Sequence, residues 1–162
     1  MAAETARFSP DSTQVAFGHS NGTISVWEVA SGRRLLELTG HKENINRVAI
    51  SSDGRRLAST SWDSSVRVWD LGTRREIASF RGSRTSFYRV SFSPDGKRLF
   101  VNEWSDALLF DLEANRQVAR LQSFTPIFLD ADTVLGLSET ELWHWRPPSL
   151  EAIDASAPEQ NP

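Results

Sequence analysis

Apolar and polar residues alternate along this chain in runs of about five, and Ser, Asp, Gly and Asn separate the runs. The stretch 45–80 shows it best. Arg47-Val48-Ala49-Ile50 alternates, Ser52-Asp53-Gly54 interrupts, Arg56-Leu57-Ala58-Ser59 alternates, Asp63-Ser64 interrupts, and Ser65-Val66-Arg67-Val68-Trp69 alternates again. A fourth run over 76–80 follows Leu71-Gly72-Thr73. Period-two alternation sends successive side chains to opposite faces, so each run predicts a short strand rather than a helix, and the turn residues predict antiparallel connections.

The pattern repeats. Phe8-Ser9-Pro10-Asp11 returns 42 residues later as Ile50-Ser51-Ser52-Asp53 and 42 later again as Phe92-Ser93-Pro94-Asp95, and Trp27 and Trp69 keep the same spacing. Four strands per period, joined by tight turns, predict the small sheet of a β-propeller blade. The expected blades cover 5–38, 45–80, 87–121 and a shorter 124–146, in which Trp145 takes the closing position but the Ser-Pro-Asp-Gly turn is lost. The expected fold is therefore all-β: about four blades of four antiparallel strands, the last degenerate, in an incomplete ring. Residues 147–162, polar and containing Pro147 and Pro148, are expected to form a disordered tail after a propeller segment spanning 1–146.

Gly40-His41, Ser51-Ser52-Asp53-Gly54, Ser61, Asp63 and Val68-Trp69-Asp70, in that order, resemble the unit of the WD-repeat family, and the resemblance runs over about 8–146. It implies a propeller. Family members usually close about seven blades, one terminus completing the blade begun by the other. About four blades fit three arrangements: a fragment of a longer propeller protein, a half-ring that pairs with a second copy, or a closed four-bladed ring. The fragment is preferred, because the ending Trp145-Arg146-Pro147-Pro148-Ser149-Leu150-Glu151-Ala152-Ile153 resembles the carboxyl ends of large bacterial proteins that append WD propellers to kinase or other signalling domains.

Composition narrows the partners. Eighteen Lys and Arg against 21 Asp and Glu give a net charge of −3, which supplies no field for nucleic acid or anionic lipid. No cysteine is present, so disulfides and thiolate chemistry are excluded. Neither a signal-peptide pattern over 1–12 nor an apolar run of about 18 residues occurs. The expected location is the cytoplasm.

His41, Ser61 and Asp63 have the residue types of a nucleophilic triad. The resemblance implies something else: with Trp69 they form a buried hydrogen-bonded chain in which His links the Asp turn to Ser, and Ser meets the indole N–H. The network is expected in full only in the second blade. The first has His19 and Asn21 at the Ser61 and Asp63 positions, the third has Ser83, Glu103 and Phe110 at the His, Ser and Trp positions, and both are expected to rely more on hydrophobic stacking. His19, His41 and His144 have no metal-ligand spacing, the glycines are scattered, and Asp130, Asp132, Glu139 and Glu141 read as solvated surface, so no metal or cofactor is expected.

Trp62 and Trp104, again 42 apart, precede the turn position, which in the family lies on the rim of the partner-docking face. Large aromatics are favoured interface anchors; packing between blades is the competing use. Asn44, Asn46, Ser86 and Tyr88 enter first strands and share that face, and Arg47 and Arg89 add charge there. The expected function is a non-enzymatic scaffold or regulatory module that binds a protein or peptide. The alternative is the carboxyl-terminal sensory part of a larger bacterial signalling protein such as a Ser/Thr kinase.

Overall fold

The computed structural model describes residues 2–81, 87, 89–103, 106–122, 125–128, 130, 133–137 and 142–146, with backbone alone for 122, 125–127, 136, 137 and 142–145. Among the described residues fifteen strands follow one another: β1 (Ala3–Phe8), β2 (Gln14–His19), β3 (Ile24–Glu28), β4 (Arg34–Leu38), β5 (Ile45–Ile50), β6 (Arg56–Ser61), β7 (Ser65–Asp70), β8 (Arg75–Arg81), β9 (Arg89–Phe92), β10 (Arg98–Asn102), β11 (Asp106–Asp111), β12 (Arg116–Gln122), β13 (Thr125–Phe128), β14 (Val134–Leu137) and β15 (Leu142–Trp145). They form four antiparallel sheets in chain order, β1–β4, β5–β8, β9–β12 and the three-stranded β13–β15. The expected tail lies outside the described residues.

The repeat reappears as register. Val15 pairs with Trp27, Leu57 with Trp69, Leu99 with Phe110 and Val134 with Trp145, so each third strand ends against an apolar residue at the start of the second. A β-bulge in the pairing of the third and fourth strands falls just before Trp27, Trp69 and Phe110. The turn between the first and second strands is also copied. Ser51 Oγ donates to Asp53 Oδ1 at 2.6 Å and accepts from Arg56 N at 2.9 Å, while Ser9 and Ser93 make the same bonds in their own turns. The fourth turn position needs a left-handed backbone: Gly54 and Gly96 sit at φ 70° and 71°, but Ser12 is forced to 58°.

First strands β1, β5 and β9 lie side by side, and the sheets stack through their faces around that inner line. Alternation decides which neighbour each residue meets. Ala16, Ile24, Val26 and Leu38 of the first sheet pack on Ile45, Val48, Leu57 and Trp69 of the second, whereas Ala58, Val66, Val68 and Phe80, on the other face of the second, pack on Val90, Leu99, Val101 and Phe110 of the third. Phe100, Ala107 and Leu109 turn to the fourth with Val134. Fully burying a side chain of this size is worth about 1.5–3 kcal/mol, so the joints between sheets hold the fold together. Polar bonds fasten the second and third sheets at their inner ends: Ser52 Oγ donates to Pro94 O at 2.5 Å, and Arg56 Nη1 to Gly96 O at 3.0 Å.

Candidate functional site

The second sheet carries a hydrogen-bonded chain that begins at Trp69. Its Nε1–H donates to Ser59 Oγ at 2.9 Å, Ser59 Oγ lies 2.8 Å from His41 Nε2, and His41 Nδ1 lies 3.0 Å from Asp63 Oδ2. One proton order satisfies it: His41 donates from Nδ1 to the carboxylate, accepts at Nε2 from the Ser59 hydroxyl, and that oxygen accepts from the indole. Every donor then points the same way, an arrangement in which hydrogen bonds reinforce one another. The hydroxyl in this chain is Ser59, not the expected Ser61. Both lie on the face of β6 turned to the first sheet, but β6 runs antiparallel to β7 with Leu57 opposite Trp69 and Ser59 opposite Arg67, so the indole reaches diagonally to Ser59. Ser61 serves the loop instead, donating to Glu43 O at 2.9 Å and accepting from Asp63 N at 3.1 Å.

Asp63 anchors two loops. It accepts from Lys42 N at 2.9 Å, from Ser65 N at 2.9 Å and from the Ser65 hydroxyl. Burial opposes its ionisation, yet the bonds from Ser65, Lys42 and His41 outweigh burial and hold the carboxyl far below the usual carboxylate range. Burial pushes the His41 imidazole below its usual value in spite of Asp63, so the ring is neutral at pH 7. Gly40 makes the approach possible, since a Cβ there would stand 2.9 Å from Trp69 Cη2.

Asp63, His41 and Ser59 have the connectivity of a catalytic triad, but the setting denies it chemistry. The His41 side chain has no exposed surface, Ser59 has none, and the Ser59 oxygen already accepts from Trp69. A nucleophile must meet a substrate carbonyl with its hydroxyl oxygen, and no substrate reaches this one. The arrangement fastens the loop before β5 to the β6–β7 turn.

The first sheet departs from the expected reliance on stacking. Trp27 Nε1 donates to Ser25 Oγ at 2.8 Å, and His19 Nε2 meets the same oxygen at 2.8 Å. Ser25, which sits where the second sheet has Arg67, was not singled out from the sequence; its only signal is a serine on the same face as Trp27, two residues before it. Asn21 copies the role of Asp63 in the turn, accepting from Thr23 N at 3.2 Å and Thr23 Oγ1 at 2.8 Å. In the third sheet Phe110 stacks on Phe80 with ring centroids 4.3 Å apart, and the buried Glu103 faces Arg120 Nη2 at 3.6 Å.

Trp62 stands at the opposite end of β5 and β6 from the Ser51–Gly54 turn, 53% exposed, with its backbone N–H bound to Asn44 O at 3.0 Å. Asn44 is half-buried beside it, and Asn46 Nδ2 reaches across to Phe87 O at 3.4 Å. Ser83, Ser86, Tyr88 and Trp104 lie outside the described residues. Among the described residues no three His, Asp or Glu gather as metal ligands, and no helix is long and apolar enough to cross a membrane.

Residues 4–28 and 32–70 match the family model described as WD domain, G-beta repeat. Relatives include a guanine nucleotide-binding protein subunit beta of Schizosaccharomyces pombe, 40% identical over 32% of this chain and 17% of that protein, and the guanine nucleotide-exchange factor SEC12 of Rattus norvegicus, 38% identical over 35% and 13%. Solved structures titled "Structure of U3-55K" and "Crystal structure of RRP9 WD40 repeats" overlay with TM-scores of 0.75 at 19% and 18% identity. The overlays cover 90% of this chain but 49% and 51% of the others, so the chain spans about half the length of those two. Two segments of the chain thus match repeats of the WD-repeat family, and its stacked four-stranded sheets have the fold of the WD40 β-propellers.

Proposed function

We propose that the chain is a protein-interaction module that docks a protein or peptide at the end where β6 finishes and β5 begins, with Trp62 as the anchor. The carrying observation is a large aromatic left 53% exposed on a backbone pinned to Asn44. An aromatic held this way buries much area on binding and loses little freedom. The matched WD repeats support the general reading, because WD-repeat proteins act mostly as interaction scaffolds, and the His41 network is sealed from solvent. Partners captured on the immobilised chain should fall at least about tenfold with Trp62→Ala, a loss of about 1.4 kcal/mol. The variant should keep its thermal midpoint, because an exposed side chain contributes little to folding. Equal capture by the folded variant would overturn the reading.

The half-length overlay on solved propellers favours a second, compatible reading. In it the chain is the sensory segment of a larger cytoplasmic signalling protein, such as a Ser/Thr kinase, whose other blades complete the ring. Light scattering decides: a monomer supports this reading, and a two-fold assembly replaces it with a ring made of two copies.

A further inference from the structure

The inner strands surround a cavity of about 430 Å³ at the end of the arc away from Trp62. Its wall is of two kinds. Arg7, Arg47 and Arg89, one from each of β1, β5 and β9, supply three guanidinium groups, and Phe8, Phe92 and Phe128 supply aromatic rings. Among the described residues that line it there is no aspartate or glutamate, in a chain whose net charge is −3. Arg7 and Arg89 are exposed and make no ion pair or side-chain hydrogen bond among the described residues. Arg47 uses Nη1 on Asn46 O at 2.7 Å.

Two exposed cations elsewhere lie against carboxylates, Arg34 against Glu37 at 2.6 Å and Lys97 against Glu113 at 3.1 Å, whereas the cavity gathers its three arginines on one wall. Cations of like sign around a concave wall with apolar sides focus a positive potential into the space between them. The mouth is stiff as well, because the turns that rim it are tied together by Ser52 on Pro94 and Arg56 on Gly96. Phe8 is 62% exposed, so one ring of the wall lacks cover, while Phe92 and Phe128 are half-buried against the cores behind them.

We propose that this cavity binds an acidic peptide segment, its carboxylates on the arginines and an apolar side chain against the phenylalanines. Guanidinium groups pair carboxylates in a planar, two-bond geometry. A bare inorganic anion would satisfy the arginines but leave the Phe8 ring uncovered, whereas alternating acidic and apolar side chains satisfy both. The site lies at the other end of the inner strands from the Trp62 face and stands independently of the function proposed for that face.

A fluorescein-labelled peptide Glu-Leu-Glu-Phe-Glu, titrated by anisotropy against the whole chain in about 0.1 M salt, tests this. The double variant Arg7→Gln with Arg89→Gln should bind at least about tenfold more weakly at an unchanged thermal midpoint, as expected for losing two charge-assisted pairs. The same peptide with Gln for Glu should weaken as much on the unaltered protein, an arm that does not depend on any variant folding. Trp62→Ala should leave the affinity unchanged, which separates this site from the other face. Equal binding by the double variant, equal binding of the Gln peptide, or displacement by inorganic phosphate at the peptide's own concentration would overturn the proposal.

Discussion

Ser59 and Ser61 are both fully buried, two residues apart on one face of β6, yet they differ in what they hold. Ser59→Ala strands the Trp69 indole N–H and the His41 Nε2 lone pair together, for which about 1–3 kcal/mol is expected; Ser61→Ala gives up the bonds to Glu43 O and from Asp63 N, strands no indole or imidazole, and should cost less. Urea midpoints compare them, and a larger loss at Ser61 would contradict a network centred on Ser59. Motif order in the sequence placed His41, Asp63 and Trp69, but two-residue periodicity cannot separate Ser59 from Ser61, because both satisfy it. Only the pairing of Leu57 with Trp69 does. Acid should also act here in two windows. His41 has a folded pKa below its usual 6.5, so as pH falls from 6.5 the unfolded chain takes up a proton that the native ring refuses, and stability drops. Asp63, held below 3.8 when folded, adds its loss as pH falls through 3.8. Urea midpoints at pH 8 and pH 5 should differ more for the unaltered chain than for His41→Asn.

At the scale of single elements, the turns after the first strands show how strongly local chemistry is copied and where copying fails. Gly54 and Gly96 take the left-handed position that Ser12 occupies at a cost. Relief of that strain, about 1–2 kcal/mol, less the backbone entropy a glycine brings to the unfolded chain, about 0.5–1, leaves Ser12→Gly stabilising by about 0.5–1 kcal/mol. Thermal melts check the sign: a lower midpoint would mean that the turn tolerates Ser without strain. Strand positions were legible because alternation and the 42-residue period agree in the first three sheets. The first sheet's polar chemistry was not, since Ser25 replaces the arginine found at the same place in the second, and a serine in a strand carries no signal until a tryptophan is seen to point at it.

Across the whole molecule each sheet borrows its core from its neighbours, so the position of a sheet in the row sets its stability. The second sheet is covered on both faces by the first and third, and most of β6 and β7 is buried. Amide hydrogen exchange should therefore be slowest at Leu57, Ala58, Val66 and Val68, and faster in β1, where five of six residues are exposed. Equal protection in the two strands would deny that stability is passed between sheets. The fold class could be read from the period, but the neighbour each face meets, and so this gradient, needed the stacking order. The two fastenings between the second and third sheets, Ser52 on Pro94 and Arg56 on Gly96, bear on how the chain can change length. An insertion in the 51–54 turn would slide both partners out of reach at once. In the loop joining β3 to β4 the hydrogen bonds stay within the first sheet, as Gly32 N–H donates to Glu28 O at 3.0 Å and Glu28 N–H to Arg33 O at 2.9 Å. Growth and shrinkage between relatives should thus be confined to the outer circumference, while spacing along the axis stays constant.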